Sequence, residues 1–217
     1  MTTTRWWWVR HAPVVGHGGR VYGQDDFDCD CSDTATFQAL ARLLPADPVW
    51  VTSHLRRTHQ TARAIRAHLP GDARPEPLAE PDLAEQHFGD WQGLTHDELA
   101  QRRNGQWHRF WLAPAVEAPP GGESFVQVVE RVAAVIARLS REHAGRDIVA
   151  VTHGGTIRAA LAIALDLDPE RALAIATEHC GLTRVDHIAG AAGSHAPGTE
   201  AVWRIAHVNL SPNTKGP

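Results

Sequence analysis

The run Asp147–Thr152, DIVAVT, constrains the fold more than any other stretch of this chain. Its apolar residues are mostly β-branched and uninterrupted, so neither face of the segment is suited to water. That is the pattern of a strand covered on both sides. It stops at His153-Gly154-Gly155, and Ile157, Ala160, Leu161 and Leu165 follow at helical spacing. A buried strand that passes straight into a helix is the repeating unit of a parallel sheet clad in helices. The same pattern occurs twice more. Residues 6–9 (WWWV) end abruptly at Arg10-His11. Val49–Thr52 (VWVT) precede a helix predicted over 56–69, where Ala62, Ile65 and Leu69 share a face and Pro70-Gly71 close it.

Other elements fill the frame. Residues 13–32 carry four glycines and several aspartates and are read as a loop. Phe37, Leu40, Ala41 and Leu44 mark a helix stopped by Pro45 and Pro48. Leu78 belongs to a short third strand. Thr95 with Glu98, and Ser124 with Gln127, have capping-box spacing. The second box opens an amphipathic helix through Phe125, Val128, Val132, Val135, Ile136 and Leu139. Residues 182–188 and 201–208 complete a sheet. The expected architecture is α/β, three layers, with a mainly parallel central sheet. Ligands of such sheets bind beyond the carboxyl ends of the strands. Three polar clusters fall there: Arg10-His11, residues 53–57, and His153.

Composition narrows the functional classes. The formal charge is -4 over 217 residues, with no basic stripe of the kind that tracks nucleic acid. No apolar run approaches the ~20 residues of a membrane span, and the amino terminus lacks a signal-peptide pattern. The three cysteines, Cys29, Cys31 and Cys180, form no C-x-x-C pair. They suggest neither a disulfide framework nor a zinc site, and reduced thiols in a cytoplasmic protein are expected. Although the chain has 14 histidines, they show no H-E-x-x-H or similar ligand spacing. No metal or cofactor is expected.

Arg10-His11 is either a reactive pair or an exposed strand end with no task. In the first reading a neutral imidazole, available near pH 7, attacks phosphorus. The neighbouring guanidinium offers planar donors to the phosphoryl oxygens. Arg57 falls in the first turn of its predicted helix, where free N–H groups already attract anions. Arg56, Arg63 and Arg66 are read as a solvated face. His153 sits between a buried strand and two glycines, which permit a tight turn and close backbone approach to a ligand. It is either a phosphoryl-binding imidazole or a satisfied strand-end histidine.

Taken in order, VRHA at 9–12, SHLRRTHQTA at 53–62, LAEQHFGDWQGLT at 83–95, GGES at 121–124 and THGGTIR at 152–158 resemble the histidine phosphatase superfamily, also called phosphoglycerate mutase-like. The resemblance spans most of the chain. It implies that His11 is the nucleophile, that Arg10 and Arg57 bind phosphate, that Glu85 is the proton donor, and that His153 completes the catalytic pocket. It implies one domain over 1–217 with a small cap around 86–123. It implies a phosphomonoesterase that acts on a small phosphorylated metabolite. Two further contacts follow from it: His17, near the place of a family donor after the nucleophile, and Glu123 of GGES. Ser124 is read chiefly as a helix cap.

Some positions depart from the family pattern. Ala12 stands where glycine is usual, which is tolerable if its backbone stays at φ < 0. Gln92 replaces a common glutamate, so acid–base work is not expected there. The stretch RVYGQDD at 20–26 replaces the F-T-G-W of glycolytic mutases, and the segment between Gly93 and Gly121 is short. Both favour a phosphatase over a mutase, and the overall size and the FGDWQGLT motif at 88–95 resemble the α-ribazole phosphatase or small broad-specificity branch. A phospho-ligand binder on the same fold is the alternative from another class, and the presence of both His11 and Glu85 argues against it. Trp107 and Trp111, four apart, are read as one helix face, packed in the core or lining the mouth of the pocket.

Overall fold

A computed structural model describes residues 1–71, 75–106, 108–190 and 201–213. Among these, one sheet holds six strands: β1 (Thr2–Arg10), β2 (Val49–Thr52), β3 (Leu78–Ala79), β4 (Asp147–Thr152), β5 (Leu182–Ala189) and β6 (Ala201–Leu210). The order across the sheet is β3-β2-β4-β1-β5-β6. The first four neighbours run parallel, as expected. The last two strands are antiparallel additions, β5 to β1 and β6 to β5. Strands adjacent in sequence need no crossover helix when they reverse direction, and no helix intervenes among the described residues between β5 and β6.

The pleat of the strands sorts their side chains into two cores. Trp6, Trp8, Ile148 and Ala150 face one side, where α4 (Phe125–Glu142) and α5 (Gly154–Leu165) cover them. Val9, Val149 and Val151, with Trp7 at the edge, face the other side, under α1 (Thr34–Leu43) and α2 (Arg56–Arg66). The Trp6 and Trp8 rings stack with centroids 4.8 Å apart, and Trp6 Nε1 donates to Ser140 Oγ of α4 at 2.9 Å. The indole donor is therefore satisfied inside the core.

Both capping boxes form. Ser124 accepts from the Gln127 amide at the head of α4, and Thr95 accepts from the Glu98 amide at the head of α3 (His96–Arg102). α2 ends at Arg66, earlier than the expected 69. The last residues tighten into i→i+3 turns, His68 to Ile65 and Leu69 to Arg66, before Pro70. A short α6 (Pro169–Ala172) follows α5. A third small cluster of Val21, Phe88, Trp91, Leu99 and Ala113 lies apart from both sheet layers. Trp107 lies outside the described residues. Trp111 sits in a non-helical stretch, so the expected shared helix face is not its setting. No described helix is long and apolar enough to cross a membrane.

Because β2, β4 and β1 are consecutive in the sheet, their carboxyl ends bring Ser53, His153 and His11 to one edge.

Candidate active site

His11 leaves β1 and is 1% exposed. Its Nδ1 lies 2.7 Å from the Ala12 carbonyl. A carbonyl only accepts, so Nδ1 carries the proton and Nε2 keeps its lone pair. Burial, then the charges of Arg57 and Arg10, holds the imidazole well below its ordinary pKa, against the pull of that hydrogen bond. His11 is thus a neutral base with one free nitrogen. Ala12 is fully buried, is absent from the residues with left-handed backbone, and donates its N–H to Thr61 Oγ1 at 2.9 Å. Alanine is accommodated here without strain.

Two more imidazoles flank it. The His153 and His179 rings lie 5.2 and 5.1 Å from the His11 ring. His153, fully buried at the end of β4, has Nε2 2.8 Å from Ser53 Oγ, and its Nδ1 accepts from Arg57 Nε at 3.4 Å. Burial and then Arg57 keep it neutral as well. His179 places Nδ1 2.9 Å from the His11 carbonyl.

The guanidinium groups are held from behind. Arg57, wholly buried, donates to the Gly23 carbonyl at 2.6 Å and the Asp25 carbonyl at 2.8 Å, and lies over the Tyr22 ring at 5.2 Å. Burial is the largest influence on it and pulls its pKa down. Arg10 donates to the Thr177 carbonyl. Its buried Nε has no acceptor among the described residues, which leaves a charged donor for a ligand. A third cation enters from α5. Arg158 donates to the Ile175 carbonyl at 2.8 Å and stacks on Trp111 at 4.6 Å. Burial lowers its pKa to about 10, and the charges of Glu85 and Arg10 act on it.

Glu85, 8% exposed, accepts from the Gly155 amide with both oxygens, at 3.1 and 3.3 Å, and from its neighbour Gln86 at 2.9 Å. The head of α5 is a natural seat for a carboxylate. The close approach expected of these glycines is to a ligand; what Gly155 admits against the backbone is the Glu85 carboxylate, and the φ of neither glycine is positive, so no left-handed turn is made.

The remaining expected contacts stand further out. His17 is half-buried, 5.2 Å from the Tyr22 ring, and near enough for its charge to act on His179. Glu123 receives Arg131 at 2.8 and 2.9 Å and the His87 amide at 2.9 Å. Arg131 also donates to the Glu85 carbonyl, so Glu123 braces Glu85 from behind. Gln92 bridges Gln24, Phe88 and Asp25 as a structural amide. Arg56 is not merely solvated, since it pairs with Asp26 and Asp28. Trp111 packs on Phe88, donates to Gln86, and faces Gly155 beside Glu85.

Reading the sequence alone misses Arg158, His179 and Tyr22. Arg158 had a signal: it lies four residues after Gly154, hence on the same helix face. His179 had none, because it sits in a turn without a motif.

A buried neutral imidazole ringed by guanidinium groups, with a carboxylate seated at the same carboxyl end of the sheet, is built for a tetrahedral dianion and its transfer. Residues 6–195 match the histidine phosphatase superfamily (branch 1), and the chain belongs to that family. It is 36% identical to glucosyl-3-phosphoglycerate phosphatase of Mycolicibacterium vanbaalenii over 176 residues, 73% of this chain and 76% of the relative. It is 33% identical to metal-independent phosphoserine phosphatase of Arabidopsis thaliana over 156 residues, 70% of this chain but only 64% of that protein's length. Among solved structures, mycobacterial hydrolase 2 superposes with a TM-score of 0.81 at 28% identity, covering 99% of this chain and 94% of the other. A putative α-ribazole-5'-P phosphatase from Escherichia coli, 22% identical with a TM-score of 0.74 over 96% of this chain and 97% of its own, shares the fold.

Proposed function

We propose that the chain is a metal-independent phosphomonoesterase of small phosphorylated metabolites that works through a phosphohistidine on His11. His11 Nε2 attacks phosphorus in line, and the bond to the ester oxygen breaks as the N–P bond forms. Glu85 gives its proton to the leaving oxygen. Arg10, Arg57 and His153 hold the phosphoryl oxygens, and Arg158 adds positive charge beside Glu85 and Arg10. Water then attacks the phosphohistidine while the Glu85 carboxylate takes its proton, and phosphate leaves. The positive charge that a metal supplies in other phosphatases comes here from guanidinium groups.

The observation that carries this reading is the fixed tautomer of His11, with Nδ1–H on the Ala12 carbonyl and Nε2 left free among cationic groups. Residues 86–123 act as a cap, with Trp111 beside the acid. Phosphoserine and glucosyl-3-phosphoglycerate, named in the relatives, are phosphate esters that also carry a carboxylate, and substrates of that class come first in a screen. Three free thiols suit a cytoplasmic setting.

Turnover of p-nitrophenyl phosphate in EDTA by the wild type and by His11→Ala tests the proposal. Activity in the wild type alone, with labelled phosphate mapping to His11 after a quench, is the expected result. Loss of activity in EDTA overturns it. Isomerisation of 3-phosphoglycerate without phosphate release assigns a mutase instead.

A further inference from the structure

The chain's three cysteines fall in one cluster, although Cys180 is far in sequence from Cys29 and Cys31, and none has a place in the chemistry above. Cys29 and Cys31 point to the same side of an extended segment, with sulfurs 3.6 Å apart. Both are half-buried on a groove of about 340 Å³ lined by Gln60, Arg63, Ala64 and Ala67 of α2 and the end of its last turn. A disulfide brings sulfurs to about 2.05 Å and Cβ atoms to about 3.5–4.5 Å, so joining residues two apart on an extended segment bends that segment as well as turning the side chains.

The pair is wired to the phosphate pocket. Cys29 Sγ lies 3.3 Å from the Arg57 carbonyl and 3.5 Å from Thr61 Oγ1, the hydroxyl that holds the Ala12 amide next to the nucleophile. The Cys29 amide donates to Gln60 at 2.9 Å. The same strap, a few residues earlier, supplies the Gly23 and Asp25 carbonyls that grip the Arg57 guanidinium. Arg57 is thus held at its head by one end of the strap and touched at its carbonyl by the other.

We propose that Cys29 and Cys31 form a peroxide-reactive dithiol whose oxidation loosens the Arg57 phosphate grip. The Cys29 thiolate attacks the O–O bond of a hydroperoxide and takes one oxygen as a sulfenic acid, while the other leaves as water or alcohol. The Cys31 thiol then attacks the Cys29 sulfur. The S–S bond forms, the S–O bond breaks, and the hydroxide leaves as water with the Cys31 proton. Two thiols lose two electrons and one peroxide gains them. A dithiol reductant reverses the change by exchange.

The chemistry of the thiols agrees. The hydrogen bond from Cys31 draws the Cys29 pKa down, outweighing burial, and the Cys31 thiol is pushed up in return. Burial drives Cys180 up to about 12, which leaves it inert and makes it an internal control. Closing the disulfide removes both S–H donors and draws the Cys29 sulfur from the Arg57 carbonyl and Thr61.

The test treats the reduced 217-residue chain with hydrogen peroxide, quenches with an alkylating agent in denaturant, which opens the buried thiol, and maps the peptides. The expected result is a Cys29–Cys31 disulfide while Cys180 stays alkylatable. Calorimetry with inorganic phosphate is expected to show affinity weakened about threefold to tenfold, the scale of one perturbed hydrogen bond, and restored by dithiothreitol. In Cys31→Ser, dimedone traps a sulfenic acid on Cys29 and no disulfide forms. An unreactive Cys29, a Cys180 that oxidises as fast, or a disulfide that leaves phosphate affinity unchanged overturns the proposal. The coupling rests on Arg57 holding phosphate, yet phosphate binding is read directly. A protein without ester turnover therefore sinks the phosphatase reading and leaves this one to its own outcome.

Discussion

Gly155 has no side chain because the Glu85 carboxylate stands where one would go: a Cβ at 155 would lie 2.2 Å from Oε1. The amide of the same glycine donates to both carboxylate oxygens. Gly155→Ala is therefore expected to displace the acid while leaving the nucleophile in place. Release of p-nitrophenol, a good leaving group, falls less than release of a poor alkyl alcohol that needs the proton. The kcat for an alkyl phosphate drops about 10²-fold or more, the usual scale of general-acid loss. Equal losses on both substrates would refute the role given to Glu85.

Arg57 is fixed by two backbone carbonyls and, in the proposed mechanism, also meets a phosphoryl group. Lysine offers a point charge without the planar fork. Arg57→Lys is expected to lower kcat/KM by about 10- to 100-fold, roughly 1.4–2.7 kcal/mol, with much of the loss in KM. Steady-state kinetics on any accepted ester decide it.

Burial dominates the depressed pKa values of His11 and His153, and the sign of the pH dependence follows. Both stay neutral when folded, while an unfolded imidazole protonates near 6.5. Above that pH neither contributes a slope. Below it the unfolded chain binds protons that the folded chain excludes, so stability falls with falling pH, by up to about 3 kcal/mol per pH unit for the two together. Urea midpoints measured from neutral to mildly acidic pH should decline on this schedule. His11, the proposed nucleophile, in contrast keeps its free lone pair, and the acid limb of kcat/KM is expected below the ordinary imidazole range.

Away from the site, Asp186 of β5 is fully buried between Arg184 and Arg204, at 2.9 Å from an Nε of each. Burial acts to raise its pKa, but the two arginines together outweigh it and the net shift is downward. Arg184 is partly exposed and Arg204 largely so, and water therefore reaches the guanidinium groups that Asp186→Ala leaves behind, at a cost of about 1–2 kcal/mol. A Tm lower by roughly 2–8 °C is expected, with KM for the ester unchanged. A calorimetric scan beside one kinetic assay separates the two effects.

The parts of the site that could be read from sequence are those tied to strand ends. His11, Ser53 and His153 close buried apolar runs, and apolar runs are what periodicity detects. The capping boxes of α3 and α4 were legible because each needs only two residues at fixed spacing. Glu85 was not, since among 25 acidic residues nothing local distinguishes it without the family pattern. The clash that makes Gly155 obligatory joins residues 70 apart in sequence. His179 and the antiparallel course of β5 and β6 depend on tertiary placement alone. Trp111 misled for a different reason: a four-residue spacing is a helix signal only where a helix exists.

The placement of β1 has a consequence for synthesis. Its Trp6 pairs with Ile148 on one side and Val185 on the other, and neither neighbour exists until most of the polypeptide has been made. At about 5–20 residues per second the tryptophan-rich strand waits roughly 7 to 28 seconds without either hydrogen-bonding partner. A nascent chain halted before residue 147 is thus a strong client for holdase chaperones, and aggregation during expression is expected to track translation speed more closely than the stability of the finished protein.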